Sequence, residues 1–364
     1  MNYDDALNII EQKKRLGIMP GLDRIKSLLD KMGNPQNKLR IIHIAGTNGK
    51  GSVANSIADA LTKAGFRTGL FTTPYVTDYL EQIKVDGEMI TKQVFCDYVE
   101  RYCDEPASEF EFLTAIMYKY FFDIGAEYAV VECGMGGLED ATNCEDKNIA
   151  VITSVSLDHT EYLGGTIEKI AVQKAGIIKK DCVCIISPDN GECISIFENE
   201  CKQKNARLIE AKDRGHFLSN NLSTAQAVLD YLSVDGTAEN PALPARQEFL
   251  NGVLLDGGHN KGAAMALAPM LSDNECAVIA MLRDKDADAY LSLVAPHCKM
   301  IVATQVDNPR ALPADELALL AKKYCDNVSV CSNPHDALSF ARENGLTLVC
   351  GSFYLAREIR KDLF

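Results

Sequence analysis

Short, mainly apolar runs recur along the first two thirds of the chain, at 41–45, 67–71, 127–133, 149–155, 182–186 and 206–209. Between them the spacing turns helical. In 50–64, Val53, Ile57, Ala58, Leu61 and Ala64 return at three- and four-residue intervals, and Gly65 stands where a helix C′ glycine belongs. Residues 5–33 carry helical spacing up to the stop signal Met32-Gly33-Asn34-Pro35. Continuous rather than alternating apolar strands, separated by helices, predict an α/β fold with a parallel sheet covered on both faces. A second series begins at 253–256 and continues at 277–280, 300–303, 328–330 and 346–349. The polar stretch 236–244, with Pro241 and Pro244, separates the two. This predicts an ATP-binding domain over 1–240 and a smaller doubly wound α/β domain over 241–364.

The first run, Ile41-Ile42-His43-Ile44-Ala45, enters Gly46-Thr47-Asn48-Gly49-Lys50-Gly51-Ser52 and then the 50–64 helix. A strand leading through glycines into a helix start gathers backbone N–H groups, the positive end of a helix dipole and a lysine at one point, where phosphates bind. The match to the general phosphate-loop pattern is partial, because Ile44 occupies the first glycine position and Gly51 follows Lys50. A Gly/Asn turn with a solvated lysine is the plain alternative.

Ligands of open parallel sheets sit beyond the carboxyl ends of the strands, so polar residues there carry weight. Thr72-Thr73-Pro74-Tyr75 follows Phe71, Glu132 leads into Gly134-Met135-Gly136-Gly137, and Asp158-His159-Thr160-Glu161 follows the run ending at Val155. Oxygens of Thr73 and Glu132 suit Mg²⁺, with the His159 nitrogen a less typical partner. Each also has an ordinary reading as cap or turn former. Lys174, by spacing, is a solvated or snorkelling helix lysine, and Arg246 is one guanidinium among many. Asp256-Gly257-Gly258-His259-Asn260 again follows an apolar run and is either a helix N-cap region or a second set of nucleotide contacts.

Composition narrows the field. A formal net charge of −14 opposes nucleic-acid binding and requires local cations if the substrate is anionic. Apolar residues make up 47% and charged residues 24%, the balance of a globular domain, and no apolar run reaches membrane-span length. Met1-Asn2-Tyr3-Asp4-Asp5 lacks the features of a secretory leader, and thirteen scattered cysteines without zinc-type spacing read as reduced thiols, so a cytoplasmic protein is expected.

The motifs occur together in a fixed order: the 42–52 loop, Glu132 with Asp140-Ala141-Thr142-Asn143, Leu157-Asp158-His159, Lys174-Ala175-Gly176-Ile177, Leu255 to Asn260, Asp284-Lys285-Asp286, Asn308 to Pro313, and Gly351-Ser352-Phe353. So ordered, the chain closely resembles folylpolyglutamate synthase / dihydrofolate synthase, the folate branch of the Mur ligase superfamily. The resemblance implies a P-loop Mur-ligase-like domain and an ATP-dependent ligase that joins L-glutamate to a pterin-bearing carboxylate through an acyl phosphate. It implies that Asn48, Gly49, Lys50, Gly51 and Ser52 cradle ATP, that Thr73 and Glu132 hold one Mg²⁺ and His159 a second, and that Lys174 is carbamylated by CO₂. A monovalent cation belongs to the same implied set. Arg246 and Asp256 would reach ATP from the second domain, and Thr224 stands where relatives place an adenine-contacting Asn. Gly21, Ser108 and Asp140 fall where relatives contact the pterin. A monomer acting on small molecules, with no membrane or nucleic-acid partner, is expected.

Tyr75, Gln82 and Leu138 replace a histidine, an arginine and an arginine of the family pattern, and the span from Ile209 to Arg246 is short. Two other readings stay open on these departures. One is a Mur-type ligase with a non-pterin acceptor. The other is a nucleotide-binding regulator without catalysis.

Overall fold

The computed structural model describes residues 1–17 and 21–364 and divides the chain into two compact units. The first comprises Met1–Val155 and Leu163–Pro241, the second Ser156–Tyr162 and Ala242–Phe364.

The first unit is built on eight strands: β1 (Arg40–Ala45), β2 (Thr68–Phe71), β3 (Ile83–Val85), β4 (Glu88–Met89), β5 (Tyr128–Glu132), β6 (Ile149–Ile152), β7 (Val183–Ile186) and β8 (Arg207–Glu210). They lie in the order β4-β3-β2-β5-β1-β6-β7-β8, parallel from β2 to β8. Side chains of β1 alternate between two cores. Ile42 and Ile44 pack with Val53, Ile57 and Leu61 of the helix Lys50–Lys63 and with Val228 and Leu229 of the helix Phe217–Leu232. Ile41 joins the opposite core, with Phe112, Ile116 and Phe121 of the helix Glu109–Asp123. Burial on both faces is why this strand reads as an unbroken apolar run.

The second unit holds β9 (Glu248–Leu250), β10 (Val253–Asp256), β11 (Glu275–Ile279), β12 (Cys298–Ala303), β13 (Val328–Val330) and β14 (Leu348–Cys350), in the order β13-β12-β11-β14-β10-β9. All neighbours are parallel except β9 with β10.

Every strand expected from apolar runs is present, but both sheets carry antiparallel additions. The β3–β4 hairpin turns at Asp86-Gly87 and β9–β10 at Asn251-Gly252, all four residues having positive φ. Asp-Gly and Asn-Gly between short strands are the residues a type I′ turn demands, so the signal was in the sequence. The helical spacing of 5–33 resolves into two helices, Tyr3–Lys14 and Asp23–Lys31.

The linker-based division puts residues 156–162 in the first domain, whereas they group with the second unit. The reason is Asp158. Its carboxylate accepts from Lys285 Nζ at 2.6 Å and from Asn260 Nδ2 at 2.9 Å. All thirteen cysteines are free thiols, and among the described residues no helix is long and apolar enough to cross a membrane.

Two stability predictions follow from this packing. A Cβ on Gly69 of β2 would lie 2.7 Å from the Phe121 ring, so Gly69→Ala should cost about 1–3 kcal/mol in urea unfolding, against no change if the helix can retreat. The Asp158 and Lys285 side chains are both under a tenth exposed. Lys285→Met strands a buried carboxylate and should lower stability by about 3–5 kcal/mol, read as a lower urea midpoint.

Candidate active site

The 46–52 segment folds as a phosphate loop should. Gly46 lies so close to β6's end that a Cβ would come within 1.7 Å of Thr153 Oγ1, and Gly49, at φ +87°, would meet Asn221 Oδ1 at 2.4 Å. Only glycine fits at either point. Thr47 N–H donates to Ser154 O at 2.6 Å, and Thr153 Oγ1 donates to Asn48 O at 2.7 Å. These bonds pin the loop to the neighbouring strand. The helix starts at Lys50, so the N–H groups of its first turn have no intrahelical acceptor and are available to phosphate oxygens. Lys50 Nζ donates to Thr47 O at 3.2 Å and lies 3.9 Å from Glu132 Oε1.

Glu132 ends β5 and is 2% exposed. Its Oε2 accepts from the N–H of Thr73 at 3.1 Å, across the cis Thr73–Pro74 bond's entry. Lys50, Glu132 and Thr73 are therefore brought together from three strand ends. Among the described residues, no three His, Cys, Asp or Glu side chains gather as a cation site. A cation here would meet one carboxylate and one hydroxyl, both hard oxygen donors, leaving other positions to phosphate and water as Mg²⁺ prefers. Lys174, on the helix Ile167–Ala175, is 2% exposed, so the snorkelling expectation fails: its whole length is inside the protein.

Two of the implied pterin contacts, Ser108 and Asp140, also have internal hydrogen-bond partners. Ser108 is the N-cap of the helix Glu109–Asp123. Its hydroxyl and N–H both donate to Glu111 Oε2, and Arg24 Nε reaches the same carboxylate at 3.1 Å. Asp140 is 6% exposed and accepts from Met135 N, Thr142 N and Thr142 Oγ1, so its carboxylate is committed to the loop behind Glu132. Burial raises its pKa, against the opposing pull of those hydrogen bonds. Gly21 is exposed with open space around it.

Thr224 is held within its own helix. It is fully buried, and its hydroxyl donates to Asn220 O within its own helix. Asn221, nearly one turn earlier, is the residue against the phosphate loop, 4% exposed and with neither amide atom hydrogen-bonded. Such a side chain is costly unless a ligand completes it. The signal was available: 221 shares a helix face with the buried Ala225 and Val228, so a polar residue interrupts an apolar stripe.

The second unit gathers a different set. Asp158 is flanked by Lys285, by His259 Nε2 at 3.8 Å and by His159 Nε2 at 3.9 Å. Burial opposes its charge, but His159, His259 and Lys285 hold it well below the usual carboxylate range. His159 has φ +49°, a conformation fixed in part by its N–H donating to Asp158 Oδ1. Asp256 bonds Gly258 N and Gln247 N, and burial pushes its pKa up. The Arg246 guanidinium lies 4.9 Å from the centre of the Phe353 ring, a stacked rather than simply solvated arginine.

Of the other departures, Gln82 is buried and donates to Tyr79 O, and Tyr75 packs edge-on against Tyr79. Leu138 stays 45% exposed, an apolar group beside the glycine segment.

Comparison with known proteins agrees with this architecture. Residues 44–227 match the Mur ligase middle domain and residues 245–353 the Mur ligase glutamate ligase domain. The chain is 31% identical to a dihydrofolate synthase/folylpolyglutamate synthase of Mycobacterium tuberculosis, over 89% of this chain and 82% of that protein. It is 28% identical to the Bacillus subtilis protein of the same name, over 99% of each. Its fold superimposes on M. tuberculosis folylpolyglutamate synthase complexed with ADP and AMPPCP with a TM-score of 0.88 at 30% identity, covering 98% and 99% of the two chains. A phosphate loop, a buried strand-end glutamate and both domains in order thus have one source: the chain belongs to the folylpolyglutamate synthase / dihydrofolate synthase family of Mur ligases.

Proposed function

We propose that this protein is an ATP- and Mg²⁺-dependent amide ligase that joins the α-amine of L-glutamate to the carboxylate of dihydropteroate, of a (poly)glutamylated folate, or of both. The observation that carries the reading is the convergence of Lys50, Glu132 and Thr73 beside a helix start whose N–H groups face outward from the strand ends. Family membership adds the second domain that such chemistry uses.

A carboxylate is a poor electrophile, so one of its oxygens must first become a leaving group. Transfer of the γ-phosphoryl group of ATP to that oxygen forms an acyl phosphate and releases ADP. The glutamate amine then attacks the acyl carbon: a C–N bond forms, the C–O bond breaks, and inorganic phosphate departs with its electron pair. In this scheme the first-turn N–H groups at Lys50, Gly51 and Ser52 bind phosphate oxygens, and Lys50 neutralises charge as the phosphoryl group moves. Asn221 offers its unsatisfied amide to the nucleotide. Glu132 and Thr73 hold Mg²⁺, with His159 the ligand of a second ion, and the metal supplies charge stabilisation during transfer.

Lys174 is the site of a carbamate. The ammonium would first give up a proton, the neutral amine would then add to CO₂ through a new N–C bond, and loss of a second proton would leave an anion where a cation stood. The side chain is 2% exposed at the end of the helix Ile167–Ala175, a position that shields such a group from bulk water. Leu138, exposed where the family pattern has an arginine, motivates a second acceptor class, a Mur-type carboxylate without a pterin.

Lys50→Ala should lower ADP and amide formation at least about 100-fold, with the far-UV spectrum and melting temperature kept; persistent turnover would remove the loop from the mechanism. Assayed across dihydropteroate, reduced folate and non-pterin carboxylates, product with none of the pterin acceptors would overturn the substrate assignment. Stripping bicarbonate from the assay should depress turnover reversibly, and unchanged rates in CO₂-free buffer would exclude the Lys174 carbamate.

A further inference from the structure

His43 is the fully buried polar residue of β1, three positions before the phosphate loop begins. Strand alternation places it on the face opposite Ile42 and Ile44, and there it meets a set of groups that no step above uses. Its Nδ1 lies 2.8 Å from Glu145 Oε1, its Nε2 2.8 Å from Thr142 Oγ1 and 3.1 Å from Cys133 Sγ. Thr142 Oγ1 in turn donates to Asp140 Oδ1, and Asp140 Oδ2 accepts from the N–H of Met135 at 2.7 Å. Tyr118 OH donates to Thr142 O at 2.7 Å from beneath.

Thr142 Oγ1 donates to Asp140 Oδ1, so its contact with His43 Nε2 is completed by a proton on Nε2. Nδ1 likewise donates to the Glu145 carboxylate. Both ring nitrogens then carry protons, which agrees with a His43 pKa held well above the ordinary value: burial opposes the charge, and Cys133 and Glu145 more than offset it.

The path of the network matters more than its charge. It starts on the strand that delivers the phosphate loop and ends on the N–H of Met135, inside Gly134-Met135-Gly136-Gly137, the segment directly following Glu132. Glycines at 134, 136 and 137 leave this segment little stiffness of its own. The last backbone bond between β1 and β5 is from the Cys133 N–H to Ile44 O at 2.9 Å, so the ladder stops just before the glycine segment.

We propose that His43, acting through Thr142 and Asp140, is a positioning residue that locks the glycine segment behind Glu132 to the strand carrying the phosphate loop. This rests on the reading above in which Glu132 serves the nucleotide's metal. A rigid link of this kind holds the carboxylate at one distance from the loop while substrates enter and leave, and small misplacements there are expensive in rate.

The test compares wild type with Thr142→Val, Thr142→Ser and His43→Gln. Thr142→Val deletes only the hydroxyl relay and keeps the side-chain shape. It should leave the melting temperature within a few degrees, speed hydrogen exchange at the Met135 amide at least about ten-fold, and lower kcat about ten-fold while the KM for ATP changes less than about two-fold. Thr142→Ser, which restores the hydroxyl, should return both readouts to wild type, and His43→Gln should resemble Thr142→Val. Wild-type exchange at Met135 in Thr142→Val, or wild-type kcat per folded molecule, would overturn the proposal. If the unmodified protein made no amide product, the ligase reading would fall, and the exchange comparison would still decide whether the lock exists.

Discussion

The site depends on how closely the end of β1 approaches its neighbours. Gly46 has Thr153 of the β6 end where a Cβ would be, and Gly49 has Asn221 where its own would be. The loop is consequently sandwiched between a strand end and a helix, and its shape is imposed by these neighbours rather than by its own preferences. From that follow the direction of the helix Lys50–Lys63, the outward-facing N–H groups of its first turn, and the short reach from Lys50 to Glu132. A chain of formal charge −14 can hold an anion only where such local geometry reverses the field.

The two units handle buried charge in the same way. In the first, the His43 ring lies between Glu145 and the Thr142–Asp140 relay; in the second, Asp158 lies among Lys285, His259 and His159. Each cluster joins a strand or strand-end segment to a loop that carries candidate ligands. Apolar packing alone would fill the same space, but it would not fix a glycine segment or a left-handed histidine in one conformation. Hydrogen-bonded charge in a low-dielectric interior does so, because any displacement leaves a donor or carboxylate unpaired.

Departures from the family pattern separate into those that alter the protein's interior and those that face outward. Gln82 has found an internal partner in Tyr79, and Tyr75 is part of an aromatic contact. Near the short linker, Glu239 accepts from Ser56 through its carbonyl and from Lys63 through its carboxylate, so the chain after the helix Phe217–Leu232 is tied back onto the phosphate-loop helix. Leu138, by contrast, remains exposed beside the glycine segment, and it is the departure most able to affect what binds there.

The sequence by itself determined the order of strands and helices, the loop and the strand-end residues, because parallel strands buried on both faces read as apolar runs and glycine-rich turns stand out between them. It also carried the two hairpins in Asp86-Gly87 and Asn251-Gly252, which a search for apolar runs passes over because their strands are short and partly polar. Tertiary structure alone decided which polar residues are available. Ser108, Asp140 and Thr224 are oxygen-bearing residues at suggestive positions that also bond within a cap, a loop and a helix, while Asn221 is left with its amide unmet. Residue type states what a side chain can donate or accept; only the packed neighbours, brought together from distant parts of the chain, decide whether that capacity is already spent.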